Sequence, residues 1–241
     1  IVATQVYDEI SDMFDKYKCQ VSNSYFPVTT VSKLKSGKPC VLAMPSRNPS
    51  ESNICMSLYY QHNPNHDEKK DKEYTGKCGV AATLDLIEQL LDEHMFDELR
   101  TKQQLGYIVD ITSRNTQHTL GLSLMVVSSE FSIAKVQLAM LKFMRASSSY
   151  IRNMSAEAYA ANIDATITQL LSPAQNLSEA TDTIWSSIED RSFHFSDRME
   201  RANFLLEEKR KDSNSLISQE ACANFLEILI GEDALLLAIQ I

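Results

Sequence analysis

From Gly79 onward one apolar stripe runs for about five turns. Val80, Leu84, Ile87, Leu91, Met95 and Leu99 recur at i, i+4, i+7, i+11, i+15 and i+19. Only a period near 3.6 keeps such a set on one side, so the spacing predicts a long amphipathic helix, with Asp85, Glu88, Asp92 and Glu93 mostly off the stripe. Eight residues follow: Arg100-Thr101-Lys102-Gln103-Gln104-Leu105-Gly106-Tyr107. Beyond them the period is two, with Tyr107, Val109 and Ile111 in phase, which predicts a strand. A long helix must therefore turn directly into a sheet. Gly106 is the expected terminator, because glycine tolerates the left-handed geometry of a helix end.

The rest of the chain is built around that junction. Cys40 to Met44 and Ile54 to Tyr60 read as two strands, separated by the turn-forming Pro45-Ser-Arg-Asn-Pro-Ser-Glu-Ser, and are expected to form an antiparallel hairpin. Leu120, Leu122, Leu124 and Val126 mark another strand. Helices are predicted over Phe131–Ile151, from the N-cap Ser155 to about Leu171, and over Ser178–Asp190, Asp197–Lys211 and Ser218–Ile230. Ser172-Pro173 ends the second of these, and Ala234 to Ile241 reads as a buried last strand. Short strand connections and a surplus of helix point to a two-layer α+β domain, an antiparallel sheet with helices mainly on one face. A helix over Gln5–Tyr17 and the linker-like Lys33-Leu-Lys-Ser-Gly-Lys-Pro39 place a domain boundary ahead of residue 38. The first residue is Ile1, not Met, which suggests a piece of a longer protein.

Charge narrows the partners. A net charge of −9 argues against nucleic acid, whose phosphates require a basic face. No run of 18 apolar residues occurs, so no membrane-spanning helix is expected. Five cysteines without C-x-x-C spacing read as free thiols rather than a disulfide framework or zinc ribbon. A reducing, cytoplasmic compartment is the expectation, with organellar or secreted placement left open.

Few residues suggest chemistry by type and spacing alone. His62 and His66 are four apart, beside Asp67 and Glu68, but Pro64 between them disfavours the helix that would aim both at one metal, so a solvated loop is expected. Leu90-Leu-Asp-Glu-His94 has leucine where a first histidine ligand would stand, which leaves Glu93 and His94 as surface residues near the helix end. Ser147-Ser-Ser reads as polar helix or loop. Arg100 and Lys102 suit a helix C-terminus, where cations complement the dipole, and Tyr107 suits a core position at a strand start.

A resemblance adds to this reading. Leu99-Arg-Thr-Lys-Gln-Gln-Leu-Gly-Tyr-Ile-Val109 resembles the R-T-x-E-Q-L-G-Y signature in the C-terminal half of pitrilysin/insulinase-family zinc peptidases. The strand Cys55-Met-Ser-Leu-Tyr-Tyr-Gln61 ahead of the long helix, and the order of elements, agree with it. The resemblance implies the fold of LuxS and mitochondrial processing peptidase domains over residues 38–241. Residues 1–37 would be the end of the preceding domain plus a linker. It also implies that Arg100 and Tyr107 reach toward an active site in the N-terminal half, where they bind the substrate backbone and stabilise the oxyanion as substrate-binding and catalytic residues. Zinc would be held by that half, through H-x-x-E-H, a motif that none of His62, His66, His94, His118 or His194 begins. This segment would hold no metal and be inactive alone. Its partners would be the N-terminal catalytic half and peptide substrates, with self-association open. Gln103 departs from the family's usual glutamate and is expected to alter a local ion pair. The alternative reading is a non-catalytic binding or scaffold module of the same fold in a multi-subunit complex.

Overall fold

A computed structural model describes residue 12 and residues 31–48, 50–62, 77–117, 119–189, 192–211 and 214–241. The chain divides into two compact units, Ile1–Thr30 and Val31–Ile241. The helix expected over Gln5–Tyr17 and the loop carrying His66 lie outside the described residues, and only the second unit is considered further.

Its strands are β1 (Cys40–Ala43), β2 (Ile54–Gln61), β3 (Ile108–Thr116), β4 (Thr119–Ser128) and β5 (Leu235–Gln240). Its helices are α1 (Lys77–Met95), α2 (Ile133–Asn153), α3 (Ala156–Leu171), α4 (Leu177–Glu189), α5 (Asp197–Lys209) and α6 (Gln219–Ile230). The sheet order is β1-β5-β2-β4-β3. All pairs are antiparallel except β1 with β5, which run parallel with Cys40 opposite Leu237. The expected β1–β2 hairpin is therefore corrected: β5 lies between them. The alternating β2 has partners on both edges, whereas the four-residue β1 is exposed throughout and forms the sheet's rim.

One face of the sheet is dry. The row Ile111, Leu124, Leu58, Ala238 crosses four strands in register, each 2% exposed or less. The intervening positions Ser57, Tyr59, Met125 and Val127 point the other way and stay half-buried. The dry face is covered by α1, α2 and α6, giving the two-layer arrangement the patterning predicts. All six residues of the α1 stripe are at most 3% exposed. Each stabilises the fold by about 1.5–3 kcal/mol.

The helix ends follow local chemistry. Ser132, Ser155 and Ser218 accept from the backbone N–H three residues on, and Asn176 does the same for Glu179. Ser147 and Ser148, expected on a polar segment, are instead buried in α2. The Ser147 hydroxyl donates to the Phe143 carbonyl, which lets a polar residue sit in the core without an orphan group.

Candidate functional site: the turn between the long helix and its strand

The long helix does not stop where α1 ends. It widens into a π-helical turn, Phe96–Lys102, in which the Gln103 N–H reaches back five residues to the Glu98 carbonyl at 3.2 Å. Such turns are rare and concentrate at functional sites. The Leu105 N–H then closes on the Leu99 carbonyl at 2.9 Å around Gln104, whose φ is 53°. This is a wide helix end, closed by a bond across six residues, with its left-handed residue at Gln104, not at Gly106 as expected. Gly106 is required for a different reason. A Cβ there would stand 2.2 Å from the Val127 carbonyl oxygen, so only glycine lets the chain pass this close to β4. The Tyr107 N–H bonds that same oxygen at 3.1 Å.

Leu99 and Leu105 anchor the turn in the core at 0% and 1% exposure. The residues between and after them face outward. Arg100 is exposed and lies over the Phe96 ring at 4.7 Å, and among the described residues no carboxylate pairs with it. Tyr107 is 48% exposed, which overturns the expectation of a core aromatic, and its neighbour Ile108 is also exposed. The Leu99–Leu105 bond draws the two ends of the turn together, so Arg100 and Tyr107 issue from one corner of the domain. The corner thus presents a cation and a phenol beside the exposed side chains of Phe96 and Ile108.

Lys102 is neutralised where Arg100 is not. It pairs with Asp97 at 2.8 Å and Glu98 at 3.4 Å. Gln103 donates its amide to the same Glu98 side chain at 2.9 Å. A glutamate at position 103 would set two carboxylates against each other, so the glutamine does alter the local ion pairing.

Sequence reasoning missed a buried polar cluster behind this junction. Asp85, placed off the apolar stripe, is covered by α5 and β3. Its carboxylate takes the Arg201 guanidinium at 2.5 Å and the Ser113 hydroxyl at 2.8 Å. Glu88 accepts the Ser113 N–H at 2.6 Å, and Arg201 also meets Asp197 at 2.9 Å. Burial pushes the Asp85 and Glu88 carboxyls above their ordinary range, against the opposing pull of Arg201 and Ser113. The signal was faint: acidic residues one turn apart on α1, a serine on a strand and an arginine over a hundred residues later. Clefts of about 280 and 270 Å³ flank the cluster, and neither Arg100 nor Tyr107 lines them. With each carboxylate already held by a partner, the cluster serves as a seam joining α1, β3 and α5.

Two of the histidines, His62 and His94, are engaged in packing. His62 stacks on Phe225 with ring centroids 5.8 Å apart. His94 lies flat on Tyr150, centroids 3.7 Å apart, so it belongs to the α1–α2 interface and not to the open surface expected for it. Leu90, where a zinc-binding version of this stretch would need histidine, is buried in the core at 3% exposure. Among the described residues no group of three or more His, Cys, Asp or Glu could hold a metal ion.

Known proteins resemble this arrangement. A family profile described as PQQ synthase PqqF-like, C-terminal lobe domain 4, matches residues 86–185, which include the π-helical turn. A nardilysin-like protein of Arabidopsis thaliana is 29% identical over 166 residues, covering 69% of this chain and 15% of its own length. Human nardilysin is 27% identical over 198 residues, 81% of this chain and 16% of its own. The crystal structure of pitrilysin superposes with a TM-score of 0.66 at 18% identity, covering 88% of this chain and 20% of that one. The chain thus spans about a sixth of the length of the sequence relatives it matches.

Proposed function

We propose that this chain, a homologue of the C-terminal part of pitrilysin/insulinase-family peptidases, supplies substrate-binding groups to a zinc metalloendopeptidase whose metal is held by the N-terminal half of the same protein. The observation that carries the reading is the corner formed by the π-helical turn. Arg100 and Tyr107 leave a rigidly anchored backbone in exposed positions, and Arg100 keeps its charge free of any carboxylate among the described residues. Leu99, Leu105 and Gly106 fix where the two groups start, which is the preorganisation an oxyanion-binding pair needs.

The chemistry follows from the groups. When a peptide carbonyl becomes tetrahedral, negative charge collects on its oxygen. A guanidinium and a phenolic O–H aimed at that oxygen stabilise the transition state more than the ground state. Arg100 also offers parallel N–H donors to substrate backbone carbonyls. Phe96 holds the guanidinium plane from one side and limits the orientations it can take. The face of the sheet turned away from α1, α2 and α6, with Tyr59, Met125 and Val127 half-exposed, suits a wall of the chamber in which the two halves would enclose a peptide. Zinc would supply the activated water when bound in the other half. The segment alone would then be inactive, and the proposed setting is cytoplasmic.

The test is steady-state peptide cleavage by the full-length protein. Arg100→Ala and Tyr107→Phe are each expected to lower turnover by about 10²–10³, the usual cost of losing one such donor, with zinc content unchanged. Wild-type turnover in both variants overturns the assignment. A full-length protein that is inactive and binds no zinc favours the scaffold alternative.

A further inference from the structure

We propose that Arg114 and Tyr59 form a carboxylate-binding subsite for a peptide held at the Arg100–Tyr107 corner. The ligand is an acidic side chain or a free C-terminus of that peptide, so this step rests on the reading of the corner as a substrate site.

The five strands hold two charged residues, Asp110 and Arg114, and both are on β3. By alternation they share the face turned away from α1, α2 and α6, since Ile111 between them belongs to the dry row. Asp110 stands nearer the corner and accepts the Thr112 hydroxyl at 2.9 Å. Arg114 stands at the far end of the strand. It is exposed, and among the described residues no carboxylate pairs with it. In a chain with 32 acidic and 23 basic residues, that is not for want of anions.

Tyr59 brings a second donor beside it. Arg114 lies opposite Gly121 of β4, and Gly121 lies opposite Gln61 of β2, two residues from Tyr59. The Tyr59 ring leans over Gly121. A Cβ there would stand 2.5 Å from ring atom Cε2 and 2.8 Å from Cζ, the carbon that carries the hydroxyl. A residue without a side chain thus clears the path of the phenol toward Arg114. Burial raises the Tyr59 pKa, against hydrogen bonding with the Gln61 side chain and the charge of Arg114, so the phenol keeps its proton and donates. A guanidinium beside a phenol is a donor set for an anion. A lone cation on an edge strand would deter pairing with other chains, but that purpose needs no glycine cleared for a tyrosine.

The spacing follows from the strand. Tyr107 and Arg114 are seven residue steps apart, roughly 23 Å at the rise of a strand. An extended peptide covers that distance in about six to seven residues. The carboxylate is therefore expected about that far along the peptide from the cleaved bond.

Cleavage and fluorescence-anisotropy binding of paired peptides by the full-length protein test it. One set of pairs differs only in Glu against Gln, placed about five to eight residues from the cleaved bond on either side. A second set ends at those positions as a free acid or an amide. The acidic member is expected to show KM and Kd about three- to fivefold lower at one position, the scale of an exposed ion pair, shrinking with added salt. An advantage confined to the first set assigns an internal side chain, and one confined to the second assigns the C-terminus. Arg114→Gln should erase the advantage and Tyr59→Phe should reduce it. Equal KM and Kd within every wild-type pair overturns the subsite and leaves the corner standing, without requiring any variant to fold. An advantage that persists in Arg114→Gln does the same. Wild-type turnover in Arg100→Ala and Tyr107→Phe removes the corner itself, and this proposal falls with its premise. A protein that binds neither member of any pair overturns both.

Discussion

Arg201 of α5 closes on Asp85 of α1 at 2.5 Å, while Ser113 of β3 donates to the other oxygen of the same carboxylate. Three elements meet at one acidic side chain, with Asp85 and Arg201 only 13% and 18% exposed. Breaking such a pair leaves a charge desolvated and unpartnered. Asp85→Ala is expected to cost about 2–3 kcal/mol, somewhat below the roughly 3–5 kcal/mol of a fully enclosed pair. Asp85→Ala/Arg201→Met should recover part of the loss. Urea unfolding of the single and double variants measures both, and equal stabilities would show that the pair contributes nothing.

The helix-to-strand turn yields opposite effects at two adjacent glycine questions. Gly106→Ala places a methyl 2.2 Å from a backbone oxygen that cannot move without breaking the β3–β4 pairing. A loss of about 3 kcal/mol or more is expected, near the upper range for overpacking. Gln104→Gly relieves a left-handed glutamine and should stabilise by about 0.5–1 kcal/mol after the added entropy of the unfolded chain. Thermal melts distinguish these from the sequence-based expectation, in which Gly106 would carry the left-handed angle.

Mild acid should weaken the α1–α2 interface. Burial against Tyr150 and Phe143 lowers the His94 pKa below its ordinary 6.5, outweighing the pull of Glu98. The folded state therefore binds fewer protons than the unfolded chain. The contribution to stability is complete above 6.5 and is lost as pH falls through the folded pKa. His94→Phe, which keeps the stacking and removes the titration, should flatten this part of the pH–stability curve. An unchanged slope in that variant would assign the acid sensitivity elsewhere.

Elements set by local pattern were legible in the sequence. The α1 stripe, the serine cap at position 155 and the alternation in β2 and β4 each state a period or a hydrogen bond within a few residues. The parallel β1–β5 pair was not, because nothing local records that Cys40 will lie beside Leu237. The Asp85 seam was hidden for the same reason: its partners are 28 and 116 residues away. At the candidate site, the motif named Arg100 and Tyr107, and the structure added how their backbone is held. The π-helical turn was foreshadowed only by the six-residue step from Leu99 to Leu105, which fits no α-helical face.

The position of β5 also bears on how the domain is made. A ribosome delivers β1 some two hundred residues before the strand that holds it, since Cys40 waits for Leu237. Until then β2 lacks one neighbour and β1 has none within the sheet. Closing a loop that long is slow, and an unfilled slot beside an apolar strand is an aggregation hazard. Sheet assembly is thus timed by the last strand to emerge, and the half-built domain exposes Leu58 and Tyr60 along an open edge for most of its synthesis.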